Sequence, residues 1–517
     1  MSEHCYLACD LGAESGRVIC GRLKNGRLTL EELHRFQTGA TIIGESLRWN
    51  VVRIFEELKT GLRKAAQQGI AAESMSVDSW ADDYVLFNQR QPVLSLPYHY
   101  RDARTEAPFQ AAQKQCREKI FAETGAQPRR LNTLYQLLDD IEHNPGLLAA
   151  ADGLLNIADA IHYLFCGTAR AEESLASTSE IYNQQRRQWS RELIETFHLP
   201  QALFPQLVPA GTKLGTLLPS IQEETGMRAI AVCATCSHDT GAAFAAVPAP
   251  APASAQSGRW ACVSMGTWAP TGIELPTPLI NPKVLEAGFT NEGGYGGTTR
   301  FLKNITGLWI LQESRREWTR KGRQLTYDEI DRLAEQAEPF RSLINPVAPR
   351  FIMPGSMPAK IAAYCKETGQ PEPQTEGQIA RCILESMALA YRLTLDQIET
   401  LTSEAQTSET PTSETPTSEA QTSRKITRFH IIGGGSRSAL LNQFAASGTG
   451  REVLAGPVEA TACGNILIQA LALGHLKTHK ELREIVANSF PINRYRPENT
   501  IEWNKAFKRF TTLPLSE

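Results

Sequence analysis

Residues 6–17 read YLACDLGAESGR and run on into VICG at 18–21. An apolar run ends in the carboxylate of Asp10. A tight turn with Gly12, Ser15 and Gly16 follows, and a second apolar run leads away. This pattern predicts a β-hairpin whose turn aims backbone N–H groups at an anion, beside a carboxylate able to hold a cation. Phosphate and metal together suggest a nucleotide-using enzyme. Asp-x-Gly also makes ordinary turns, so the reading depends on the rest of the chain.

The chain has 517 residues, too many for one core, so two large domains are expected. Hydrophobic content of 42% and charged content of 21% are those of a globular protein. A net charge of −3 supplies no general field for nucleic acid or an anionic membrane. No apolar run approaches the roughly 20 residues that span a bilayer. The N-terminus lacks a basic region and reaches Asp10 too soon for a signal peptide. The eleven cysteines are scattered and odd in number, as expected of reduced thiols in a cytoplasmic protein. Cys233 and Cys236 have redox spacing, but they sit within an apolar run rather than opening a helix, which favours buried strand residues.

Two segments interrupt the globular pattern. Residues 247–258 are rich in Pro and Ala and read as an exposed connector or loop between domains 1–246 and 259–517. Residues 402–424 repeat a five-residue unit (TSEAQ, TSETP, TSETP, TSEAQ, TSR) without a large apolar side chain, which predicts a disordered insertion. Elsewhere strands and helices alternate. A strand is expected at 74–79, and a helix over 51–66 with Val52, Ile54, Leu58, Leu62 and Ala65 as its stripe. Beyond the connector, strands are expected at 260–265, 428–432 and 453–454, with helices at 307–319, 379–401 and from Ala439 and Ala460. The fold class is α/β with partly parallel sheets, in which ligands gather at the carboxyl ends of strands.

Five loops each follow an apolar strand: 10–17, 78–83, 237–240, 265–267 and 433–435. Glycine-rich examples let backbone approach a phosphate or purine closely, although 433–435 also reads as a plain helix-leading turn. A standard P-loop is absent. Asp239 follows an apolar strand, where it reads either as a catalytic carboxylate or as an N-cap of the next helix.

The ordered motifs DLGAESGR, VDSWADDY, YRDART, SHDT, MGTW, NEGG, LKNITGLWILQ, HIIGGGSRSALLNQ and AGPVEATACGN resemble the FGGY carbohydrate kinases. The resemblance runs from about Tyr6 to Gly464 and implies two ribonuclease-H-like, actin-like ATPase domains flanking a catalytic cleft. It implies an ATP- and Mg2+-dependent kinase acting on the C1 hydroxyl of L-rhamnulose, with L-fuculose or xylulose as alternative sugars. It assigns Asp239 as proton acceptor and Asp10 as the carboxylate near the metal. Ala13, Glu14, Ser15, Gly16 and Arg17 match the phosphate hairpin, and Thr267, Gln312 and Gly434 match nucleotide contacts. His238, Thr240, Asn304, Trp80 and Asp83 fall at sugar-side positions, and Ala81 stands where the family has a sugar-contacting glycine. The implied partners are the sugar and ATP, with no nucleic acid or membrane, in a monomer or small homo-oligomer. From another class, actin-like folds also serve as filament subunits and chaperone ATPases, which would not need the sugar-side loops 79–84 and 237–240 to be so polar.

Overall fold

The structure is a computed structural model that describes residues 3–250, 259–409 and 425–514. The chain forms two compact units. In the first, a sheet runs in the order Lys213–Thr216, Ala231–Cys233, Ala72–Ser79, His4–Leu11, Ser15–Lys24, Arg27–Gln37. His4–Leu11 lies parallel to Ala72–Ser79 and antiparallel to Ser15–Lys24, so the expected hairpin is present. Its turn is closed by Gly12 N–H donating to Ser15 O at 3.0 Å. A side chain at Gly16 would lie 2.4 Å from the Phe36 ring, which explains that glycine.

One face of this sheet is an apolar core. Leu7, Cys9, Leu11, Val18, Met75 and Val77 pack against Ile54, Leu58 and Leu62 of helix Val51–Gln67. Asn50 caps that helix by accepting from Arg53 N–H at 3.0 Å. The stripe begins at Val51 rather than Val52, which is 51% exposed.

The other face is buried but polar. Helix Ala460–Ala472 covers it, and Asn465 and Gln469, one turn apart, reach Asp78 and Ser74 at 2.6 Å each. The compact units cut across the expected contiguous division: residues 274–301 and 460–489 belong to the first unit, which continues to Pro250. Packing, not chain order, sets the boundary: a Cβ on Gly464 would come within 1.9 Å of Ala242 O.

A second sheet has seven strands among the described residues, in the order Thr290–Gly293, Thr299–Thr306, Trp268–Leu275, Arg259–Ser264, Ile426–Ile432, Glu452–Ala455, Asn493–Tyr495. Arg259–Ser264, Ile426–Ile432 and Glu452–Ala455 are again parallel. Long helix Glu376–Glu409 takes in the first eight residues of the pentad repeat, against the expectation of disorder from 402. The repeat's first proline is Pro411, so nothing before it breaks a helix, and Thr402 donates to Ile398 O at 2.8 Å. Residues 410–424 of the repeat lie outside the described residues. So do 251–258 of the Pro/Ala segment; in its described part, Val247 and Ala249 are buried rather than exposed.

All eleven cysteines are free thiols, and Cys233 and Cys236 are buried as expected. Burial pushes the Cys233 thiol up to about 11. Among the described residues no helix is long and apolar enough to cross a membrane.

Candidate functional site

Asp10 and Asp78 end neighbouring parallel strands and are register partners. Their side chains therefore emerge on one face at one level. Asp239 joins them electrostatically: Asp78 feels both other carboxylates, and Asp239 feels Asp10. Burial first, then the charge of Asp10, raises Asp78 well above the ordinary carboxylate range, while Asn465 works against the shift. Arg17, opposite Asp10 in the hairpin, forms an ion pair with it. Arg17 is thus committed to Asp10, while Ala13, Glu14 and Ser15 stand at the open turn.

Asp239 is not the N-cap. Helix Asp239–Ala245 starts at Asp239 itself, and His238 holds the cap position. The Asp239 carboxylate accepts from Thr240 N–H at 2.5 Å and Thr240 Oγ1 at 3.0 Å. Although 35% of its side chain is exposed, its carboxyl is raised, by burial first and also by Asp10, against the pull of His238. A part-exposed carboxyl with a raised pKa suits proton acceptance.

The loop before it is fixed from behind. Ser79 N–H donates to Ser237 O at 2.8 Å, extending the sheet towards His238. Buried Glu172 accepts from Ser237 N–H at 2.9 Å and from Ser174, and burial raises it to about 7. Arg300, wholly buried, donates to His238 Nδ1 at 3.2 Å and pairs with Glu292 at 3.0 Å. The same Nδ1 faces Glu292 Oε2 at 3.4 Å and Nε2 faces Asp239 Oδ1 at 3.4 Å, so the ring stands between two carboxylates.

The 80–83 loop reads differently from expectation. Asp83 is fully buried, and its carboxylate accepts from Trp49 Nε1 at 2.5 Å, Trp80 Nε1 at 3.0 Å, Tyr100 N–H at 3.2 Å and Gln136 Nε2 at 3.0 Å. Burial raises it to about 7 despite these donors. Its carboxyl faces inward and orders the loop rather than offering an oxygen to a sugar. Trp80 is also buried, its ring tilted against Trp49 with centroids 4.0 Å apart, which leaves half-buried Ala81 as the loop's accessible residue. Next to it, Asp82 adopts φ 77°, a strained conformation held by Thr133 Oγ1 donating to its carbonyl at 2.6 Å.

In the second unit, loops 265–267, 307–309 and 433–435 are knitted together. Leu308 N–H donates to Gly266 O at 3.0 Å, Gly307 N–H to Thr267 O at 3.1 Å, and Gly435 N–H to Met265 O at 3.1 Å. Thr267 Oγ1 lies 3.5 Å from Gln312 Oε1, so these two expected residues are neighbours. Of the three glycines, Gly435 is dictated by Met265, whose Cγ would lie 1.8 Å from an added Cβ, and Gly433 adopts φ 81°. Gly434 alone is exposed. Asn304 sits half-buried on strand Thr299–Thr306.

Asp78, Asn465, Glu172, Glu292 and Arg300 were not singled out by sequence reasoning. Asp78 had a signal, as a carboxylate ending the strand beside that of Asp10. The others are brought in by packing.

Two family models cover most of the chain: the N-terminal domain of the FGGY family of carbohydrate kinases at residues 5–246, and its C-terminal domain at 261–473. The chain belongs to the FGGY family of carbohydrate kinases. This FGGY kinase is 37% identical to a rhamnulokinase of Bacteroides thetaiotaomicron over 98% of both chains. It is 34% identical to one of Bacillus subtilis over 96% of both. Its fold matches a ligand-bound xylulose kinase from Lactobacillus acidophilus, with TM-score 0.77, 14% identity, and coverage of 98% of this chain and 97% of that one. A Plasmodium falciparum glycerol kinase with ADP matches at TM-score 0.73 and 13% identity over 98% of both chains. The FGGY kinase is thus a sugar phosphotransferase of the actin-like, ribonuclease-H-like fold.

Proposed function

We propose that this kinase transfers the γ-phosphoryl group of ATP to the C1 hydroxyl of L-rhamnulose, giving L-rhamnulose 1-phosphate and ADP. The near full-length relatives called rhamnulokinases support the sugar. The observation that carries the chemistry is Asp239, a part-exposed carboxyl with a raised pKa at the start of its helix, in the field of Asp10.

In this reading Asp239 takes the hydroxyl proton as the sugar oxygen attacks the γ-phosphorus and the bond to the ADP oxygen breaks. Phosphoryl transfer of this kind needs positioning and charge neutralisation more than covalent catalysis. The turn of the 13–17 hairpin offers backbone N–H groups to the phosphates, and Thr267, Gln312 and Gly434 hold the nucleotide. His238, Thr240, Asn304 and the Ala81 backbone orient the sugar, while Trp80 and Asp83 keep the loop in shape. Three carboxylates in mutual repulsion, with Asp78 Oδ1 buried and lacking a hydrogen-bond partner, fit a divalent cation. Asp10 and Asp78 would hold magnesium, which supplies charge neutralisation for the phosphate oxygens when bound.

A coupled ADP-release assay with L-rhamnulose, L-fuculose and D-xylulose tests the proposal. The highest kcat/KM is expected for L-rhamnulose. Preference for another sugar overturns the substrate, and sugar-independent ADP release overturns the kinase reaction.

A further inference from the structure

Strand His4–Leu11 carries Asp10 near its far end, and its two ends carry different chemistry. At the starting end, His4 Nδ1 lies 2.8 Å from Glu73 Oε1, and His475 Nε2 lies 3.5 Å from Glu73 Oε2. One donor atom from each residue falls within 4.8 Å of the others. The two imidazoles stack with centroids 3.8 Å apart, so both edges address the same carboxylate. We propose that His4, Glu73 and His475 form a second metal site, selective for a zinc-class divalent ion and separate from the phosphoryl-transfer centre.

Three features of the fold build this cluster. Cys5 pairs with Ala72 and Tyr6 with Ser74, so Glu73 is the extra residue of a bulge and its side chain is re-aimed towards His4. His475 follows helix Ala460–Ala472, whose Gln469 donates to Leu7 O at 3.0 Å, fixing where the chain turns back. Tyr6 OH lies 2.6 Å from His475 Nδ1. A hydroxyl both donates and accepts, so Tyr6 serves the tautomer that leaves Nε2 free to bind a metal.

Two imidazole nitrogens and one carboxylate oxygen are the donor set of zinc rather than of magnesium, which takes oxygens. Tetrahedral zinc with ligands at about 2.0–2.1 Å needs donors roughly 3.4 Å apart, and the two nitrogens lie 2.8 Å and 3.5 Å from the Glu73 oxygens, so small side-chain shifts would be needed to close on the ion. Side-chain exposures of 20–34% give an entry path and room for a water as fourth ligand. Six residues of strand at about 3.3 Å each separate His4 from Asp10, roughly 20 Å. The ion would clamp the first strand, the bulged strand and the end of the covering helix.

The test uses the untagged, chelator-treated full-length protein. Zinc titrated calorimetrically is expected to fill one equivalent that His4→Gln or His475→Gln abolishes and Asp10→Asn retains. Tyr6→Phe should weaken it roughly tenfold. X-ray absorption at the zinc edge of the wild-type protein should read two imidazole ligands, which does not depend on any variant folding. Absence of a saturable equivalent, an oxygen-only zinc environment, or unchanged binding in both histidine variants would reduce the cluster to an ion pair and overturn the site.

Discussion

Asn465 donates its side-chain amide to Asp78 at 2.6 Å, joining residues 387 positions apart in the chain. That bond supplies Asp78 Oδ2, while Oδ1 has no hydrogen-bond partner at all. Asn465→Ala would strip the last donor from a buried carboxyl. A loss of about 1–3 kcal/mol is expected, read as a lowered denaturation midpoint. An unchanged midpoint would mean that Asp78 does not depend on this helix.

Asp239→Asn keeps the size and hydrogen-bonding shape of the side chain but removes its basicity. Turnover with L-rhamnulose should fall roughly 10²–10⁴-fold, while calorimetric ATP binding stays near wild type. Near-normal kcat in this variant would reject Asp239 as proton acceptor.

Gly464 touches the helix that starts at Asp239. An added Cβ would meet Ala242 O at 1.9 Å, and backbone on both sides leaves nothing flexible to yield. Gly464→Ala should therefore cost about 1–3 kcal/mol by overpacking and lower kcat by displacing Asp239. A variant with wild-type melting and turnover would show that the two helices can separate freely.

Burial works to raise the Glu292 carboxyl, but Arg300 and then His238 outweigh it and hold it at about 2. A depressed carboxylate stabilises the fold above its ordinary value of 4.5, and that contribution is lost as pH falls from 4.5 towards 2. Glu292→Gln also leaves Arg300 buried without its counter-charge, at a cost of about 3–5 kcal/mol near neutrality. The stability gap between wild type and variant, measured by denaturant melts, should narrow as pH drops below 4.5. A pH-independent gap would contradict the ion pair.

Asp83 has the opposite sign. Its folded pKa of about 7 lies above the ordinary 3.8, so the folded state binds the extra proton between those values. Stability from Asp83 is full below 3.8 and declines as pH rises through about 7. Asp83→Asn, whose carbonyl still serves the indole donors, should gain on wild type across that window. Parallel melting curves from pH 5 to 8 would refute the buried, protonatable carboxyl.

Much of the architecture was legible in local pattern. The apolar-carboxylate-glycine turn of the first hairpin, the 51–67 helix and the strand-then-turn segments each follow from side-chain periodicity, which acts over a few residues. Asp10 and Asp239 were legible because both stand where apolar strands give way to polar loops. Asp83 misled for the same reason: its motif marks the loop, but only packing turns the carboxyl inward onto Trp49 and Trp80. The first eight residues of the pentad repeat misled in the other direction, since polar composition does not stop a helix that is already anchored at Thr402.

By itself the chain determined its elements, its two sheets and the carboxylates at their ends, because hydrophobic period and turn chemistry are written residue by residue. Which residues stand behind those carboxylates was decided only in three dimensions. Helix Ala460–Ala472 crosses hundreds of positions to cover the polar face of the first sheet, and Arg300 reaches His238 from a strand of its own. Such pairings depend on burial and shape between distant segments, and no local spacing encodes them.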